Sequence, residues 1–241
     1  TTSHLATPAT STVAALSTDQ IQALLTSQLG ALGTNSVRAL TTDQVVALTT
    51  DQVTGLNTRT VQALSTEAIT ALTTGQIEVI NTAGLAALTT SQVKALSTDA
   101  VIALSTYQVA NLTTGTMAAL STAQVAAIET TDIQALSTKQ LAGLATGTVS
   151  ALTTDQVIAL TTYQVGNLST ATLKALSSDQ IAAIETTDIQ VLTTGQLAGL
   201  ATSTVAALTT DQVVALTTYQ IGNLSTATLK ALSSDQLVAI E

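Results

Sequence analysis

The chain has 241 residues, with no Cys, Trp or Phe, a single His, six Lys and Arg together, and a net charge of −9. That composition excludes disulfide frameworks, thiol chemistry and Cys-ligated metal sites. A lone His excludes a multi-His metal site or proton relay, and the acidic balance opposes a nucleic-acid partner, whose phosphates need clustered cations. Nothing approaches the roughly 18-residue apolar run of a spanning helix, so no membrane insertion is expected.

Residues 1–8 form an irregular N-terminal segment that holds His4, read as an inert surface residue. The segment lacks the basic and apolar regions of a signal peptide. From 9 to 241 a single frame runs without insertion or deletion. Leu or Ile occupies every eighth position from Leu16 to Ile240, 29 positions in all, of which 25 are Leu. Calling this position a, the octad reads L-[S/T]-T-x-Q-[V/I/L]-x-A. Position c is Thr in 26 of 28 octads and Ser in the other two. Position f is always Val, Ile, Leu or Met, and h is nearly always Ala, Gly or Asn. Positions a, c, f and h therefore read as inward or structural, and d and g as solvated. A 56-residue super-repeat overlies the octads, clearest at 129–184 and 185–240, which agree at 47 of 56 positions. Two turns of 3.5 octads would make that block commensurate with a winding.

Each octad carries the signals of a helix start. Position b is Ser or Thr in 20 of 28 octads, and e, three residues on, is Gln in 16 of 28. That spacing is a capping box, and the apolar a and f residues around it form a hydrophobic staple. The Thr at c is a second capping row (Thr42, Thr50, Thr154, Thr210), taking over one residue later where b cannot cap, as at Leu25 or Ala145. About six helical residues per octad are too few to stand alone. The expected fold is an all-α solenoid of tandem capped helices stabilised by neighbour contacts. A β-solenoid with short L-T-T and Q-V strands is the competing reading, since Thr and Val favour strands. Core positions are represented by Leu40, Val45, Leu48, Val53, Leu120, Ile128, Leu136, Leu160, Val165 and Leu168.

No catalytic set can be named: Ser and Thr abound without a paired base, so an enzyme is not expected, nor any cofactor or metal. Asp recurs at d, where the dipole of a first helical turn favours it, and no calcium loop is present. Glu129 with Asp132, and Glu185 with Asp188, read as variant caps and less readily as a cation site. Tyr107, Tyr163 and Tyr219 lie at d, 56 residues apart, and are candidate surface contacts. The regular Thr row is similar to that of ice-binding proteins.

The segment Leu40–Ala47, LTTDQVVA, resembles the helix start of TAL-effector repeats over eight residues, a shared capping solution without the basic charge. Across 9–241 the octads resemble the short LTTxQVxA-type repeats of large secreted bacterial surface and adhesin-like proteins. That resemblance implies a non-enzymatic extracellular stalk or filament subunit on a bacterial surface, secreted without a cleaved signal. The alternative is an adhesin module that binds ice, glycan or calcium. The frame reaches Glu241 without a polar capping repeat, so end-to-end self-association or continuation in a longer chain is the expected partnership.

Overall fold

A computed structural model of the chain describes residues 10–240; the segment 1–8 with His4, and Glu241, lie outside the described residues. The described residues form 29 α-helices of four to six residues, and every one begins at position c. No strand occurs among them, so the helical solenoid holds and the β-solenoid does not. The deciding residue is the one at b. It takes an extended conformation (Thr41, φ −76°, ψ 161°) and its hydroxyl accepts from the amide of Gln44, three residues on. The extended residue at b turns the chain into a helix, with a side-chain cap wherever b is Ser, Thr or Asn, and the Thr and Val that favour strands become a helix start and a core residue.

Two rows line the core. Val45, Val53 and Val165, at f, are fully buried, and Leu40, Leu48, Leu120, Ile128, Leu136, Leu160 and Leu168, at a, are buried as well. Where a helix runs through h, as Thr42–Ala47 does, it ends at a with extended geometry (Leu48, φ −59°, ψ 130°); in others, such as Thr50–Thr54, it ends one residue sooner, at h.

The octads stack at a fixed offset. The helix Thr42–Ala47 packs on Thr18–Gln22, three octads earlier, and is hydrogen bonded to Val13 and Leu16, 31 and 28 residues earlier. Contacts with the third and fourth preceding octads place one turn between three and four octads. A spacing of 28 residues is half of the 56-residue super-repeat. The duplicated block thus corresponds to two turns. The chain divides after Leu120 into two compact units, and this stacking holds within each.

Candidate functional site: a row of buried glutamines

A helix of five or six residues leaves most of its amides and carbonyls without intrahelical partners, because four groups are orphaned at each end. The Gln at e answers both ends. Its Oε1 accepts from the N-cap amide of its own octad, as from Thr73 N at 2.9 Å for Gln76. Its Nε2 donates to the carbonyls that close a helix one turn away: Gln76 reaches Val45 and Leu48, each at 2.8 Å. The same bond to the carbonyl 28 residues earlier is made by Gln44, Gln52, Gln92, Gln108, Gln156, Gln164, Gln180, Gln196, Gln212 and Gln220, at 2.6 to 2.8 Å. Gln236 makes it to Leu208. One primary amide, with an acceptor and two donors, therefore caps one helix at its start and another at its end. These side chains are buried, Gln212 to 1% exposure and Gln76 to 2%.

In two octads where e is not Gln, an Asn at b takes over part of the task. Asn81 accepts from Gly84 N at 2.8 Å and donates to Leu56 O at 2.8 Å, 25 residues earlier. A Cβ at Gly84 would lie 3.0 Å from Val61 Cγ2, a close approach. Asn57 likewise donates to Gly30 O at 3.1 Å.

Position e was legible from sequence only as half of a capping box; its burial and its bond across turns went unread. The available signal was the side chain itself, since a capping box needs only the amide oxygen and leaves the NH₂ group seeking acceptors.

The capping row requires a correction. Thr42, Thr50, Thr154 and Thr210 do not cap; each is the first helical residue and is exposed, and the caps are Thr41, Thr49, Thr153 and Thr209. A residue already in helical geometry cannot turn its hydroxyl back onto the amides that follow, whereas the extended residue before it can. Even Leu25 and Ala145 hold the N-cap place without a capping side chain, and the helices still begin at Thr26 and Thr146. At Leu25 the frame is kept by Gln28, which accepts from Leu25 N at 2.8 Å. The Thr at c instead faces h three octads later. A Cβ on Gly199 would sit 2.1 Å from Thr170 Cγ2, and one on Gly55 would sit 2.8 Å from Thr26 Cβ.

The remaining candidates separate. Tyr107, Tyr163 and Tyr219 are exposed by 70 to 72%, and their carbonyls accept from Asn111, Asn167 and Asn223, each at 2.8 Å. Asp132 and Asp188 are buried at e, while Glu129 and Glu185 are exposed at b. The acidic pairs thus divide between core and solvent. Among the described residues no group of three or more His, Asp or Glu gathers as a metal site. No described helix is long and apolar enough to cross a membrane.

Compared with known families, the chain matches the ALTTAQ repeat model at residues 26–58, 77–114, 125–162, 162–194 and 181–218, together more than half of its length. No curated protein matches it.

Proposed function

The chain belongs to the ALTTAQ repeat family, and from that premise we propose that it is a non-enzymatic structural protein, an extended extracellular fibre or stalk, or a filament subunit, on a bacterial surface. The observation that carries this reading is the recurrence of one bond between turns. Wherever it is made between Gln44 and Gln108 and between Gln156 and Gln236, the same side chain donates to the carbonyl 28 residues earlier, although octads with another residue at e interrupt the row. A unit held in this way lengthens by whole octads without altering its cross-section, as quasi-one-dimensional repeat proteins do. The mechanism is mechanical. Load along the axis is shared among identical amide bridges, and the exposed Thr and Asp keep the lateral surface wetted.

The stacking surface is also self-complementary. An octad's Gln fits the helix ends of any equivalent octad, so a second copy of the chain satisfies the chemistry that an earlier turn satisfies. A heterologous contact of that kind propagates when it does not close. The exposed Tyr107, Tyr163 and Tyr219 are proposed as lateral contacts. Electron microscopy of the purified chain tests the reading. Fibres much longer than one chain support self-assembly, uniform rods support a stalk segment, and rounded particles contradict both.

A further inference from the structure

The six cations are Arg38, Arg59, Lys94, Lys139, Lys174 and Lys230, so the chain has only two arginines. Both line one cleft of about 230 Å³, together with Thr34, Gln62 and Ala63. The cleft lies where the helix Thr34–Arg38 packs on Thr58–Ala63, three octads later. Arg38 stands at g and Arg59 at d, 21 residues on. At the same offset Lys94 is followed by Gly115 and Lys174 by Gly195, so neither of these lysines at g meets a second cation. Among the described residues neither arginine makes an ion pair. Two like charges brought together on an acidic chain repel, and nothing in the packing requires them, since both side chains are exposed. Glu67, in the next octad, is held below its ordinary carboxyl pKa by its own backbone amide and then by the Ser65 and Thr66 hydroxyls, which engage its carboxylate at its own helix start.

We propose that Arg38 and Arg59 form an oxyanion-binding site that takes a single sulfate, phosphate or carboxylate group of a small ligand. The planar guanidinium presents paired N–H donors matched to such oxygens, and Thr34 and Gln62 add neutral polar groups on the cleft wall. The volume suits one charged group or a sugar-sized ligand. This site is independent of the fibre reading.

With two arginines, the guanidinium Nε–H region of a ¹⁵N spectrum holds two signals, which makes the test direct. The full chain is titrated with sodium sulfate, sodium phosphate and sodium acetate, each against sodium chloride at equal ionic strength. Both signals should move saturably with one shared dissociation constant for at least one of the three anions. Saturation by sulfate or phosphate alone assigns a tetrahedral ligand, and saturation by acetate assigns a carboxylate. Arg59→Gln should weaken binding at least tenfold, and Lys94→Gln should leave it unchanged, with circular dichroism showing both variants folded. Shifts that only drift as with chloride, that affect one arginine alone, or that survive Arg59→Gln at full affinity overturn the proposal.

Discussion

A glutamine at e meets two demands with one side chain, and the demands are separable by substitution. Gln76→Met keeps the length of the side chain and loses every bond: to Thr73 N at 2.9 Å, and to Val45, Val46 and Leu48 carbonyls at 2.8, 3.3 and 2.8 Å. Val45 O keeps its bond from Leu48 N, so the groups chiefly stranded are Thr73 N and Leu48 O; at about 1–3 kcal/mol per group, urea unfolding should show a loss of about 2–6 kcal/mol. Gln76→Glu retains the acceptor for Thr73 N but turns a carboxylate toward carbonyl oxygens. Burial and those oxygens raise its folded pKa above the unfolded value of about 4.3. The variant is therefore weakest at neutral pH and regains stability as pH falls through the raised pKa, when the protonated acid can donate. A variant equally stable at pH 7 and pH 5 would contradict this. The two threonines of each octad divide as sharply. Thr153→Ala removes the hydroxyl that accepts from Gln156 N at 3.1 Å and should cost about 1 kcal/mol. Thr154→Ala, at the first helical residue, should fall within about 0.5 kcal/mol of the parent.

At the scale of the element, helix starts were legible because capping chemistry is local: b, e and f lie within one octad and carry their meaning together. The apolar rows were legible because their period is unbroken. What stayed hidden is non-local. Nothing between Leu48 and Gln76 announces that the second donates to the first, and Thr at c reads as a cap until the extended residue before it is seen to hold that place. The contact of c with h three octads later is equally silent, yet it has measurable consequences. Gly199→Val should destabilise by about 1–3 kcal/mol through overpacking against Thr170. Gly75 lies in the helix Thr74–Val79 and a Cβ there meets nothing within 4 Å. Gly75→Ala should accordingly stabilise by about 0.5–1 kcal/mol. Thermal unfolding of the two variants should move in opposite directions, and a shared direction would contradict the assigned packing.

For the whole molecule, cohesion comes from turns braced against one another. Short helices have no independent stability, so what keeps an octad folded lies 28 residues away as much as beside it. Hydrogen exchange followed by mass spectrometry, comparing the parent with Gln76→Met, reads that link directly. The account predicts faster exchange in the helix Thr74–Val79 and, to a similar degree, across Val45–Leu48, with the helix Thr58–Ala63 between them in sequence little changed. Faster exchange confined to Thr74–Val79 and its immediate sequence neighbours would contradict it.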